Sequence, residues 1–147
     1  MDNAGLIVRR ARPDELAACA ALYVTVLRET FTWLPPERHK EGDFFAAARD
    51  EEIYVARLGG RLVGIAALYR PQVFLHSLYV TERGGGVGKA LLDHVSKAAG
   101  GVLQLKCQTA NLRAQAFYLR EGFRCTEAGE DDGIAWMRFV RAPSDAR

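Results

Sequence analysis

The residues best suited to chemistry are Arg83-Gly84-Gly85-Gly86-Val87-Gly88-Lys89, a glycine run bracketed by cations. Before it stands FLHSLYV, residues 74–80, apolar, β-branched or aromatic at most positions, as a strand is. After it, Val87, Ala90, Leu91, Val95 and Ala98 make an apolar stripe at helical spacing. A strand that feeds a glycine turn and a helix start gathers unpaired backbone N–H groups into one small space. The helix dipole adds partial positive charge there. That is a seat for phosphate or pyrophosphate. By themselves, Gly84 to Gly86 serve a plain tight turn equally well.

Other candidates are scattered. Asn111 stands where a helix begins, and Tyr118 lies two turns into that helix. His76 lies within the 74–80 strand, where alternation puts it on the face of Leu78. His39 falls in a proline-containing segment, and His94 on the 86–99 helix, where it reads as a surface group. Cys19, Cys107 and Cys125 are odd in number and widely spaced, so they offer neither a disulfide framework nor metal-ligand pairs. Cys107 has no nearby base to activate it and reads as a small apolar residue at a strand end. No His/Cys/Asp/Glu cluster has ligand spacing, so no metal is expected.

The elements that position these groups follow from periodicity and punctuation. A strand at 6–10 leads to Pro13 as a first helical residue, with Asp14 and Glu15 complementing the dipole. Leu16, Ala20, Tyr23 and Leu27 carry that helix to about Thr30. Pro35-Pro36 breaks it. A second helix spans about 42–49, with Phe44, Phe45 and Ala48 on its apolar side. Strands at 53–58 and 61–69 flank the tight-turn signal Gly59-Gly60, the second weakened at Gly64. Beyond the glycine loop come a helix to Ala99, a strand at 102–106, and a helix from Asn111 to Leu119. A short strand at 123–126, an acidic turn at 127–133 and a last strand at 134–140 complete the pattern. This is a single α/β domain over residues 1–141, with a loose tail at 142–147. The strand–helix–strand unit around Gly86 makes strands 74–80 and 102–106 parallel.

Composition excludes several classes. The net charge of +2, with signs interspersed, gives no case for nucleic acid. No apolar run is long enough to span a bilayer, and the start lacks a signal-peptide pattern. With no disulfide pattern, a reducing cytoplasm is the simplest setting.

Three phosphate loops compete for the glycine run. A triphosphate P-loop puts glycine where Arg83 stands and a hydroxyl where Ala90 stands. A dinucleotide fingerprint fails in both frames, ending on Lys89 or on Leu91. The run Arg83–Gly88 fits R/Q-x-x-G-x-G/A and resembles the pyrophosphate loop of the GNAT superfamily of acyl-CoA-dependent N-acetyltransferases. LYV before it is similar to that superfamily's central strand. NLRAQAFYLREGF, residues 111–123, resembles its second signature, an Asn-led helix with a tyrosine, closed by Gly-Phe. The element order fits over essentially the whole chain. Only Thr81 and Glu82 separate Val80 from Arg83, a shorter link than in many members.

The resemblance implies an α+β fold: a mixed, mostly antiparallel sheet with a central splayed parallel pair, its 74–80 strand carrying a bulge, and helices on both faces. It implies an N-acetyltransferase moving acetyl from acetyl-CoA to a primary amine of a small molecule or peptide, directly within a ternary complex. The alternative is a non-catalytic acyl-CoA-binding regulatory module on the same fold. It places the pantetheine arm along Leu78, Tyr79 and Val80, through the backbone of Leu78 and Val80, with the Leu78 N–H as oxyanion donor. Backbone amides of Arg83, Gly84, Gly85, Gly86, Val87, Gly88 and Lys89 take the pyrophosphate, and Asn111 meets the pantetheine amide. Tyr118 is the proton donor to the leaving thiolate, and Phe117 is left to the core. His76 is a candidate base or substrate contact, and Trp33 and His39 are candidates for shaping the acceptor pocket. Each histidine has an equally ordinary structural reading. Homodimers are common in the superfamily, and the oligomeric state stays open.

Overall fold

The computed structural model describes residues 5–82 and 85–143. Arg83, Gly84 and most of the expected loose tail therefore lie outside the described residues.

Among the described residues, seven strands form one sheet in the order β1-β2-β3-β4-β5-β7-β6. They are β1 (Leu6–Arg10), β2 (Glu52–Leu58), β3 (Arg61–Tyr69), β4 (Phe74–Val80), β5 (Leu103–Gln108), β6 (Arg124–Asp131) and β7 (Ile134–Arg141). Every neighbouring pair is antiparallel except β4–β5, which is parallel as the crossover through a helix requires. The helices are α1 (Leu16–Thr30), α2 (Glu41–Ala48), α3 (Val87–Ala99) and α4 (Leu112–Arg120).

Two cores flank the sheet. On one face, Leu91, Leu92 and Val95 of α3 and Tyr118 of α4 pack against Ala66, Leu68, Leu75, Leu103 and Leu105. On the other, Cys19, Leu22 and Val26 of α1 and Phe44 of α2 cover Val55, Ile65 and Ala67. Phe45, expected on the inner side of α2, is exposed, since one short helix turns only one of two adjacent side chains inward. His94, expected at the surface, is half-buried with its ring 5.4 Å from that of Tyr54.

Gly64 has a different role from the weakening expected of it. A Cβ there would lie 2.8 Å from Leu91 Cδ1, 3.1 Å from Val87 Cγ1 and 3.3 Å from the Tyr79 carbonyl oxygen. The missing side chain lets the first turns of α3 lie against β3.

The β2–β3 hairpin turns at Gly59 (φ 59°) and Gly60 (φ 83°). Two consecutive positive φ values fit the twist of a two-residue hairpin. The last hairpin turns the same way, at Asp132 (φ 50°) and Gly133 (φ 78°). This corrects the expected acidic turn at 127–133: most of that segment is strand, and β6 runs to Asp131. β6 is an edge strand with nearly every side chain exposed, so it shows no apolar alternation. Its acidic residues suit an edge, where charge blocks further pairing.

Glu15 ties the start of α1 to the sheet. Its carboxylate, 7% exposed, accepts both terminal nitrogens of Arg9 (2.7 and 2.9 Å), Arg57 Nε (2.8 Å) and the Arg12 backbone N–H (2.8 Å). The Arg9 guanidinium first, and the Arg12 amide next, hold this carboxyl well below the usual carboxylate range.

Candidate active site

The central parallel pair is joined at one end only. Phe74 and Gln104 are its one registered pair. Gln104 pins that end, its backbone N–H donating to the Val73 carbonyl (3.0 Å) and its Nε2 to the Gln72 carbonyl (2.9 Å). From there β4 and β5 part, and a cavity of about 590 Å³ opens between them.

A bulge shapes the β4 wall. Leu75 stands opposite Leu68 and Ser77 opposite Ala67, so His76 is an extra residue on β4. The expected alternation between His76 and Leu78 therefore does not hold. Leu75, Leu78 and Val80 all face the α3 core, whereas Tyr79 packs on the α1–α2 side. The backbone of β4 also divides. Thr81 N–H donates to the Val63 carbonyl on the β3 side (3.0 Å). Antiparallel alternation then turns Tyr79 and Ser77 toward β3, and leaves the amides and carbonyls of Leu78 and Val80 facing the gap.

The α3 start forms one end of the cavity. Gly86 precedes the helix with φ 75°, a left-handed conformation that favours glycine. The first helical bond runs from Ala90 N–H to the Gly86 carbonyl (3.0 Å). The amides of Val87, Gly88 and Lys89 precede it and have no acceptor within the helix. Gly86, Val87, Gly88 and Lys89 line the cavity. Gly85 is described but is not among the lining residues, and Arg83 and Gly84 fall outside the described residues. Lys89 Nζ is 3.1 Å from Glu121 and 3.3 Å from Asp93, and the bond to Glu121 is the main cause of its raised pKa.

α4 supplies the opposite wall. Asn111 caps it as expected, its Oδ1 accepting from Ala114 N–H (3.2 Å). That uses the oxygen and leaves the amide NH₂ on a residue lining the cavity. Tyr118 lines it too, 9% exposed, between Phe117 (centroids 5.2 Å) and Phe123 (5.5 Å). Burial, with smaller effects of Cys107 and Tyr79, pushes its phenol far above the ordinary value. Phe117, assigned to the core from sequence, is also part of this wall, with its Cζ 3.5 Å from where a Gly88 Cβ would be.

Cys107 lies within β5 rather than after it, and faces the cavity while buried. Burial raises its thiol to about 11, so it is a neutral thiol at ordinary pH and a poor nucleophile. Val26, Thr30 and Phe31, from the end of α1, and Gln108 close the far side. Phe31, an aromatic in the proline-containing segment, reads from sequence as either a core plug or a pocket residue, and it lines the cavity; Val26, Thr30 and Gln108 carry no sequence signal.

The three acceptor-pocket candidates separate. His76 lines the cavity. Trp33 sits at its margin, 42% exposed, its Nε1 donating to Gln108 Oε1 (2.8 Å). His39 is 7% exposed, its ring centroid lies 5.9 Å from that of Phe31 in a tilted contact, and it is not among the lining residues. Burial lowers its pKa, with Arg38 and Arg28 adding to the effect. Among the described residues there is no group of three or more His, Cys, Asp or Glu placed to hold a metal. No helix among them is long and apolar enough to cross a membrane.

Comparison with solved structures finds the same fold repeatedly. The "GCN5-Related N-acetyltransferase: Aminotransferase, Class-II" of Rhodopseudomonas palustris superposes with a TM-score of 0.80 at 23% identity, over 97% of this chain and 98% of that one. The apo form of YjaB from Escherichia coli gives 0.78 at 24% identity, over 96% and 99%. YncA of Salmonella typhimurium, a putative acetyltransferase solved with its cofactor acetyl-CoA, gives 0.71 at 17% identity, over 97% and 96%. No curated protein sequence matches the chain. The model of the acetyltransferase (GNAT) family matches residues 8–123, and the chain belongs to that family.

Proposed function

We propose that this protein is an N-acetyltransferase that moves acetyl from acetyl-CoA to a primary amine of a small molecule or peptide, by direct attack in a ternary complex. The observation that carries this reading is the parting of β4 and β5 after one registered pair, with the Leu78 and Val80 backbone facing the gap and the α3 amides at its end. An extended amide-bearing arm fits such a gap as an added strand would. The helix start suits its pyrophosphate. The solved YncA–acetyl-CoA complex, on the same fold, supports the choice of ligand.

The thioester, when bound, supplies the activated acetyl group. Leu78 N–H stabilises charge at the acetyl oxygen from a fixed position. Tyr118 O–H donates a hydrogen bond to the departing sulfur. A phenol above pKa ~10 does not fully protonate a thiolate of pKa ~8.5. Its work is to hold the developing charge while a proton arrives through water. His76 takes the proton that the amine loses on acylation, and returns it to solvent and so to the thiolate. Trp33 and Gln108, linked at 2.8 Å, border the acceptor side, and His39 acts behind them through Phe31. The neutral, buried Cys107 disfavours an acyl-cysteine route. The free state of Cys19, Cys107 and Cys125 suits a reducing cytoplasm.

The test is thiol release from acetyl-CoA across a broad amine panel. At least one amine is expected to raise release well above hydrolysis, and Tyr118→Phe is expected to lower that turnover roughly 100-fold while CoA still raises the melting temperature. If no amine raises release although CoA binds, the protein is a binding module.

A further inference from the structure

Glu51 lies in the short connection between α2 and β2. Its neighbour Glu52 pairs with Arg70 and Arg10, an ordinary structural arrangement. Glu51 is different. Its side chain is 8% exposed, and among the described residues its only ion-pair partner is His76, with Oε2 2.6 Å from Nδ1. Burying a carboxylate is costly unless a partner compensates it. Here the partner is a group that titrates near neutrality and lines the cavity with its side chain 52% exposed. The bulge is what turns His76 out of the β4 alternation, toward the side where Glu51 lies.

We propose that Glu51 is a positioning residue for acetyl transfer, holding His76 by Nδ1 so that Nε2 accepts the proton of the acceptor amine. This rests on the acetyltransferase reading above. A carboxylate at Nδ1 keeps the proton on that nitrogen and fixes the ring plane, leaving the Nε2 lone pair on the cavity side. As the amine nitrogen bonds to the acetyl carbon and the C–S bond breaks, the nitrogen's proton passes to Nε2. The Glu51 charge stabilises the resulting imidazolium. Solvent then carries that proton to the thiolate, which leaves as the thiol, and the imidazole is neutral again.

The surroundings leave Glu51 as the dominant influence. The bond to Glu51 raises the His76 pKa against an opposing effect of burial. Tyr23 of α1 and Tyr79 of β4 are both raised by burial and stay neutral, and Asp43 of α2 lies near Tyr23. From β5, Cys107 is neutral, and Lys106 is held over the Trp136 ring at 4.2 Å. β3 presents Ala67 and Leu68 opposite the bulge.

The experiment is the pH dependence of kcat/KM with an accepted amine, for the wild type, Glu51→Gln, Glu51→Asp and His76→Gln. The wild type is expected to gain activity with rising pH through a limb centred above the ordinary imidazole value of about 6.5. Glu51→Gln removes the charge, so the limb moves down by about one pH unit and the plateau kcat falls about tenfold, with the KM for acetyl-CoA unchanged. Glu51→Asp keeps most of the wild-type limb, and His76→Gln abolishes it. NMR titration of the His76 ring in the intact protein gives the same downward shift in Glu51→Gln without relying on turnover. An unchanged profile in Glu51→Gln, or a surviving limb in His76→Gln, overturns the proposal while leaving the acetyltransferase reading intact. Absence of any acceptor for the wild type removes both. If Glu51→Gln fails to fold, the NMR titration of His76 in the wild type decides: a ring that titrates above the ordinary imidazole value supports the proposal, and one at or below it overturns it.

Discussion

Glu15 and Glu51 are both buried carboxylates, and their partners separate their roles. Glu15 faces two arginines, which are always charged, so its pairing is permanent above acidic pH. Its carboxyl is held far below the unfolded value. The stability it contributes is therefore complete above about pH 4.3 and is lost as pH falls toward the depressed folded value. Glu15→Gln should destabilise the protein by roughly 2–3 kcal/mol at neutral pH. That is less than the roughly 3–5 kcal/mol of a fully buried pair, because Arg9 and Arg57 are about a quarter exposed and can reach water. Denaturant unfolding at pH 7 and pH 3 checks this: the gap between wild type and variant should shrink at pH 3. A gap of constant size would mean that the charge is not what holds α1. Glu51 faces a histidine instead, so its pairing changes within the physiological range.

At the scale of elements, α3 is placed by what β3 lacks. With Val87 and Leu91 pressed against Gly64, even a methyl group there meets a fully buried leucine and a backbone carbonyl. Gly64→Ala should cost about 1–3 kcal/mol and lower the melting temperature by roughly 5 °C, read by calorimetry. No loss would mean that α3 can slide outward. Two devices act close together at the start of β4. Gln104 fastens one end through two hydrogen bonds, and the bulge at His76 then reverses which residues face which core. Neither device shows in periodicity. A bulge is one residue among seven that otherwise read as a plain strand. The length of β6 is hidden for a related reason, because an edge strand exposed on both faces has no alternation to detect. α3 and α4 were legible because their stripes and caps are local, down to the Asn111 side chain on Ala114 N–H.

Across the whole molecule, the cofactor half of the candidate site was far more legible than the acceptor half. The glycine turn, the helix start, Asn111 and Tyr118 each sit in a short contiguous pattern. The proposed acceptor half joins residues distant in sequence: Trp33 with Gln108, Glu51 with His76, and Phe31 with His39. No spacing rule anticipates such contacts, because each depends on how α1, α2 and the sheet pack. One global measurement tests the cofactor half. CoA at about 100 times its dissociation constant should add roughly 2.7 kcal/mol of stability, visible as a rise of several degrees in melting temperature. ATP should give much less, since the loop lacks the P-loop glycine and hydroxyl at Arg83 and Ala90. Equal shifts would point to a general nucleotide site. The parting of β4 from β5 also bears on where the sheet is open to foreign strands. A sheet is normally vulnerable to foreign strands along its outer rims, here β1 and the acid-rich β6. This one has a further rim in its interior, where Leu78 and Val80 offer unpaired backbone to any extended chain that can enter. On the proposed reading, a ligand lying along that rim also guards it, so cofactor supply and resistance to aggregation would be governed by the same few amides.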